Sequence, residues 1–334
     1  MDDTQSTDLL HEINDGHFVA RALHVVAELG VADVIGDEPM PVATVAERIG
    51  AKADPLARVI RLLASRGIFK LEGGLAEGRV SHTAPSRRLA SNHPTSFRPY
   101  VRNTATIKNW RLPEHMSHMV RTGEPAAGEG TMWSQLEGSP EDARIFDEAM
   151  IARSHAQIAG VLKAHDFSRY ERVVDVGGGA GHLLRAVLAA HPGVKGVLFD
   201  RPDVVHAAKE RGSNERLEFV GGNFFEEVPR GDATILMEVL HDWSDEECVR
   251  ILKTIRRSAV PGSRLLVVEA GVGEGDDPSW GKLLDVIMMT LFAGRQRTRA
   301  EFEALFSAAG FRLVDATSAE DGSKIFAGEP VQRR

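Results

Sequence analysis

Between Arg172 and Asp200 the chain reads Arg-Val-Val-Asp-Val-Gly-Gly-Gly-Ala-Gly-His, an apolar helical segment, His191-Pro192 and then Val194-Lys-Gly-Val-Leu-Phe-Asp200, an order that few folds accommodate. Val173 to Val176 has the composition of a short buried strand, and Gly177 to Gly181 forms a turn tight enough to bring a ligand against backbone. From His182 to Ala190 the apolar residues Leu183, Leu184, Ala186, Val187 and Leu188 recur at helical spacing. The result is strand, glycine turn, helix and strand, with an acidic residue closing the second strand.

The glycine spacing narrows what the turn can hold. A dinucleotide fingerprint places glycine at the first, third and sixth positions, so that the pyrophosphate meets the helix N-terminus. Here the glycines that define the turn are Gly177, Gly179 and Gly181, the sixth position is His182, and Asp175 precedes the first glycine by two residues. This leaves room for an uncharged adenosine with an amino-acid tail. Asp200, at the end of the next strand, is placed to accept hydrogen bonds from both hydroxyls of a ribose. The competing reading is a structural glycine turn in another α/β fold.

The 334 residues suffice for two domains without covalent staples, and 43% hydrophobic with 26% charged residues is an ordinary globular composition. A formal charge of −8 argues against a nucleic-acid backbone as the main partner. The single cysteine, Cys248, excludes a disulfide framework and suits a reducing compartment. No apolar run approaches the ~20 residues needed to span a bilayer. The start of the chain lacks a basic region followed by an apolar core, so a cytoplasmic location and no membrane partner are expected.

Apolar residues at helical spacing predict helices over Leu9 to Leu29, Pro41 to Gly50 and Asp54 to Gly67. Ile68 to Glu72 and Arg79 to His82 then form a small two-stranded wing. Three helices and a wing are the pattern of a DNA reader, with Arg58, Arg61 and Arg66 on the third helix. The acidic balance favours a packing module instead. Between Asn92 and Phe167 aromatic and sulfur side chains gather, among them Trp110, Met132, Trp133 and Met150, some of which could line a pocket for a flat apolar ligand. His115 and His118 have no cysteine or third ligand nearby and read as surface or pocket histidines, so no metal is expected.

After Asp200 the alternation of strand and helix continues, which argues a parallel sheet. Strands are predicted at Leu217 to Val220, Ala233 to Leu240 and Arg264 to Glu269, with two more at Phe311 to Asp315 and Lys324 to Ala327. Helices are predicted over Leu283 to Phe292 and Arg299 to Ala309. Ser244 and Glu247 form a capping box. Ligands of open α/β sheets bind off the carboxyl ends of strands, and His241 follows the fourth strand on the edge that carries the glycine turn. An imidazole there can accept a proton near neutral pH; the bland alternative is a histidine that merely precedes a helix cap. Asp242 reads as a residue that shapes the turn.

These residues resemble the class I, S-adenosylmethionine-dependent O-methyltransferases of plant phenolics and bacterial polyketides or phenazines. The resemblance spans essentially the whole chain. It is carried by Asp175-Val-Gly-Gly-Gly-Ala-Gly181, Phe199-Asp200-Arg-Pro202, Gly221-Gly222-Asn223-Phe224-Phe225, Leu240-His241-Asp242-Trp243-Ser244-Asp245-Glu246 and Gly294-Arg-Gln-Arg-Thr298. It implies an α/β protein: a Rossmann-like methyltransferase domain over 166–334, a helical winged-helix dimerisation domain over 1–90, and a helical linker and pocket segment over 91–165. A homodimer that takes S-adenosyl-L-methionine and a small aromatic acceptor follows.

By the same resemblance, Gly177, Gly178 and Gly179 would hold the methionine part of the cofactor, Asp200 the ribose, and Asn223 with Phe224 the adenine. Arg144 and Ser154 would approach it from the helical segment, and Met237 stands near it in place of a lysine. His241 would be the general base and Glu269 the carboxylate that orients it. Met150, Met288 and Phe292 would face the acceptor, and Trp110, Met288, Met289 and Phe292 would keep water out. Asn223 replaces an aspartate, and Gln296 replaces a glutamate that often flanks the histidine, which leaves Glu269 as its charged partner. The alternatives are a relative that retains the cofactor but catalyses a hydroxylation, decarboxylation or pericyclic step, and a winged-helix regulator that senses the cofactor.

Overall fold

The computed structural model describes residues 2–74, 77–124, 139–291 and 294–331, without the side chains of 107, 108, 140 and 141. The chain divides into two compact units, Met1–Arg111 with Pro140–Arg153, and Leu112–Ser139 with Ser154–Arg334.

The first unit opens with a helix over Asp3–Glu28, longer than the predicted one because Asp2 and Gln5 form a reciprocal capping box ahead of the apolar repeat. Its inner face, Ala22, Val26 and Ala27, packs with Val45, Leu56, Ile60 and Leu63 from the helices Val42–Arg48 and Ala53–Ala64. The wing has three strands: β1 (Met40–Pro41), β2 (Phe69–Glu72) and β3 (Arg79–His82), in the antiparallel order β1-β3-β2. Sequence reasoning found β2 and β3. It missed β1, a two-residue bridge ending in proline, too short to show any periodicity. This is the expected helical winged-helix unit.

The second unit is a seven-stranded sheet built from β4 (Arg172–Val176), β5 (Lys195–Asp200), β6 (Leu217–Gly221), β7 (Ala233–Met237), β8 (Arg264–Glu269), β9 (Phe311–Ser318) and β10 (Lys324–Pro330). The order is β6-β5-β4-β7-β8-β10-β9, with β4 to β8 parallel and the last two strands antiparallel. The parallel strands are covered on both faces, and accordingly read as near-continuous Val, Leu and Ile. The chain turns outward in opposite directions on the two sides of β4, so β4 is the switch point at which such sheets take their ligands. No helix among the described residues is long and apolar enough to cross a membrane.

One expected strand is shorter than predicted. Ala233 to Leu240 was expected as a single run, but β7 stops at Met237. Glu238 takes φ 57°, and Leu240–Asp242 forms one 3-10 turn. The hydrophobic pattern runs on, but the backbone leaves the sheet because the amides of Val239, Leu240 and His241 all turn onto one oxygen of Glu269.

Candidate active site

The turn after β4 can be made only by glycine at its ends. Gly177 and Gly179 have φ of 72° and 55°, the left-handed region. A Cβ on Gly177 would come 2.8 Å from Val239 Cγ2, and one on Gly178 would come 2.6 Å from Asp175 Oδ2. Gly179 differs, since nothing lies within 4 Å of where its Cβ would be, so this backbone faces open space. The amide of Gly179 donates to Asp200 Oδ2 at 2.8 Å and that of Arg201 to Oδ1 at 2.7 Å. Each oxygen keeps a further lone pair, enough for two hydroxyls.

Asp175 lies beneath this turn, fully buried between Leu198 of β5 and Ile235 of β7, and its Oδ2 has no hydrogen-bond partner among the described residues. Burial and the neighbouring Asp200 push its carboxyl up to about 7. Asp200 is itself raised, chiefly by burial, against the pull of its two amides. A glycine backbone open to solvent, a carboxylate with spare lone pairs and an orphaned acid at a switch point suit a neutral ribose and a cationic amino-acid tail. The residues present therefore fit S-adenosylmethionine.

His241 stands on the 3-10 turn that follows the neighbouring strand, β7. Val239, whose side chain packs on Gly177, joins the glycine turn to the 3-10 turn that presents the imidazole. Glu269, at the end of β8 and wholly buried, shapes that turn: its Oε1 accepts from the amides of Val239 (3.2 Å), Leu240 (2.9 Å) and His241 (3.3 Å). Its Oε2 stands 3.0 Å from His241 Nδ1 as an ion-pair contact. Gln296 Nε2 lies 2.8 Å from the same nitrogen and Glu238 Oε2 3.8 Å, while Asp242 Oδ1 lies 3.3 Å from Nε2. Burial works against a charged ring here, but the carboxylates of Glu269, Asp242 and Glu238 outweigh it and raise the imidazole to about 10.

The expectation that Glu269 would be the only charged partner is thus corrected, because the early end of β7 swings Glu238 in and the 3-10 turn folds Asp242 back. The donor atoms of Glu238, His241 and Glu269 fall within 4.8 Å of one another, a spacing that could also admit a small cation. The contacts already pair these carboxylates with the ring, with backbone amides and with Gln157 Nε2, which donates to Glu238 Oε1 at 3.0 Å.

Behind the turn sits Arg297, 1% exposed. Its Nε donates to Asp245 Oδ1 (2.8 Å), Nη1 to the Leu240 carbonyl (2.9 Å) and Nη2 to that of Trp243 (2.8 Å). At the head of the same segment, a Cβ on Gly294 would fall 1.8 Å from the His241 carbonyl oxygen. Neither residue had been given a role, nor had Glu238. Gly294-Arg-Gln-Arg-Thr298 was visible as a motif, but backbone contacts from remote sequence leave no pattern to read.

The remaining expected residues are spread over both units. Asn223 is exposed and caps its own turn, accepting from the Phe225 amide and donating to Glu226, while Phe224 packs edge-on to Phe225 and Trp243. Met237, the last residue of β7, is half-buried. Met288 is buried with Leu284 and Ala270, the residue after Glu269. Ser154 is half-buried on the helix Pro140–Ala164, in the second unit. Arg144, Met150 and Trp110 belong to the first unit: Arg144 pairs with Glu148 at 2.6 Å, and Trp110 stands edge-on to buried His24 under the Arg21 guanidinium. Phe292, Met132 and Trp133 lie outside the described residues. His115 and His118 are exposed.

Residues 114–312 match the family model of the O-methyltransferase domain, and residues 11–92 that of the O-methyltransferase dimerisation domain. A phenazine O-methyltransferase of Lysobacter antibioticus is 37% identical, with 97% of this chain and 96% of that protein aligned. The mitomycin biosynthesis 6-O-methyltransferase of Streptomyces lavendulae is 36% identical, covering 91% of this chain and 88% of the relative. Among solved structures, CalO1, a methyltransferase of calicheamicin biosynthesis in its SAH-bound form, superposes with a TM-score of 0.90 at 35% identity, over 99% of this chain and 100% of the other. The chain belongs to the O-methyltransferase family, with that family's dimerisation domain preceding its methyltransferase domain.

Proposed function

We propose that this chain is an S-adenosyl-L-methionine-dependent O-methyltransferase acting on a hydroxyl of a small aromatic or polyketide-type natural product, with His241 as general base. The carrying observation is the imidazole itself: it is seated among three carboxylates at the carboxyl end of β7 and tied through Val239 to the glycine turn of β4. When bound, the cofactor supplies an activated methyl group. Gly177, Gly178 and Gly179 would receive its amino-acid end, Asp200 the ribose, and Asn223 and Phe224 the adenine, with Ser154 and Met237 completing the surroundings.

His241 takes the proton of the acceptor hydroxyl. An imidazole raised well above its ordinary value by the surrounding carboxylates is a stronger base towards a phenol than a free histidine. A cation brought near the ring lowers its proton affinity and frees a larger fraction of the base. Met288, buried beside the residue that follows Glu269, would face the acceptor. Alignment contributes the larger share, ~7–11 kcal/mol in well-oriented systems. The dimerisation domain supports a homodimer, which sedimentation at micromolar concentration would measure.

Incubation with methyl-labelled cofactor and a panel of phenolic acceptors tests the reading. Label should pass to a hydroxyl, at a rate that climbs from pH 7 towards 10 because only the neutral imidazole accepts a proton. Cofactor-bound protein that converts an acceptor without moving label would instead be the relative with different chemistry. Asp200→Ala should weaken cofactor binding ~10- to 100-fold in calorimetry, the loss of hydrogen bonds to a charged group. Unchanged affinity would remove Asp200 from the site.

A further inference from the structure

Resting on that reading, we propose that Glu238 is a positioning residue for His241, supplying from the end of β7 the second negative charge at Nδ1 that the neutral amide of Gln296 does not. Three groups converge on that nitrogen: Glu269 Oε2 at 3.0 Å, Gln296 Nε2 at 2.8 Å and Glu238 Oε2 at 3.8 Å. The Gln296 amide presents N–H or, turned over, its oxygen, which is buried without a partner. It can therefore follow the proton but cannot balance a charge. Once His241 has taken a proton the ring is a buried cation, and while an amide oxygen can accept its hydrogen bond, a carboxylate also offsets its charge.

Glu238 is built for this position. It is the only non-glycine among the described residues with positive φ, at 57°, a conformation that costs about 1 kcal/mol or more and persists where the surroundings enforce it. Its side chain is 10% exposed, Gln157 Nε2 donates to Oε1 at 3.0 Å, and Oε2 lies on the ring side. An extended residue at 238 would continue β7 and place this side chain on a face of the sheet. Among the described residues, the charged groups facing the ring are Glu238 just after β7, Glu269 from β8 and Asp242 from the 3-10 turn. The Arg297 guanidinium is spent on Asp245 and the carbonyls of Leu240 and Trp243.

The experiment is the pH–rate profile of the full-length protein and its variants with labelled cofactor, alongside an NMR titration of the His241 imidazole without ligands. Glu238→Gln should move both the kinetic limb and the imidazole titration to lower pH by about one unit or more, and lower the alkaline plateau several-fold, with cofactor affinity within two-fold of the parent. Adding Gln296→Glu to that variant should move both back, because a carboxylate again faces Nδ1. A purely structural role predicts neither the shift nor the rescue.

Coincident profiles for the parent and Glu238→Gln, or a shift that Gln296→Glu leaves uncorrected, would overturn the proposal. So would parent activity lost on dialysis against EDTA and restored by zinc, which would make Glu238 a ligand. Should Glu238→Gln not fold, Gln157→Leu frees Oε1 without touching residue 238, and should shift the limb in the same direction by less. If the parent moves no label to any acceptor, the methyl-transfer reading fails, while the NMR titration still decides whether Glu238 acts on His241.

Discussion

Arg297→Met unfolds the protein ~3–5 kcal/mol more easily than the parent and removes most of its turnover. The guanidinium is fully enclosed, and three nitrogens each hold a partner within 3 Å: Asp245 at the start of one helix, and two carbonyls that bracket the base-bearing turn. Methionine fills much of the volume but supplies no donor: the Leu240 carbonyl keeps only the Trp243 amide and the Cys248 thiol, that of Trp243 only the weak thiol, and the tie from this turn to Asp245 is lost. Lysine restores a charge but not the planar fork, so Arg297→Lys should recover only part of the stability. Denaturant titration with and without cofactor reads both effects. A loss under 1 kcal/mol would mean that the turn is held mainly by Glu269.

His241→Ala cuts kcat by ~10²–10⁴, the usual yield of a positioned base, while cofactor affinity in calorimetry stays within two-fold. The direction of the stability change follows from the raised pKa. The folded ring binds its proton above the unfolded value near 6.5, so its stabilising contribution is complete below that pH and fades as pH rises through about 10. The parent should therefore lose stability relative to His241→Ala between pH 7 and 10. Full kcat in the variant, with an unchanged profile, would mean that alignment alone carries the reaction.

What the residues disclosed in advance was the part that has a period. Strand, glycine turn and helix around Asp175 to Asp200 could be read because glycine, β-branched and acidic residues occupy positions that local backbone geometry dictates. His241 could be read because it follows a central strand on the edge of the glycine turn, whereas Glu269 was supplied by the family resemblance alone. The shortened β7 could not, since Val239 and Leu240 continue the apolar run and the force that bends them comes from a carboxylate thirty residues on. Glu238 was invisible for a related reason, since a lone charge amid apolar sequence reads as an exposed exception until the fold brings its partners; Arg297, one of three arginines in a polar stretch, carried nothing to set it apart as the buried one. Gln296 was read as a lost charge, whereas its amide lies against the ring and the charge comes from elsewhere.

The two oxygens of Glu269 divide their labour, one fastening three successive amides and the other confronting the imidazole. Any exchange at position 269 consequently alters scaffold and chemistry at once, and a slow variant there would say little about which had failed. The Glu238 carboxylate faces the ring while those three amides are held by Glu269, so of the two acids it offers the cleaner handle for tuning the base.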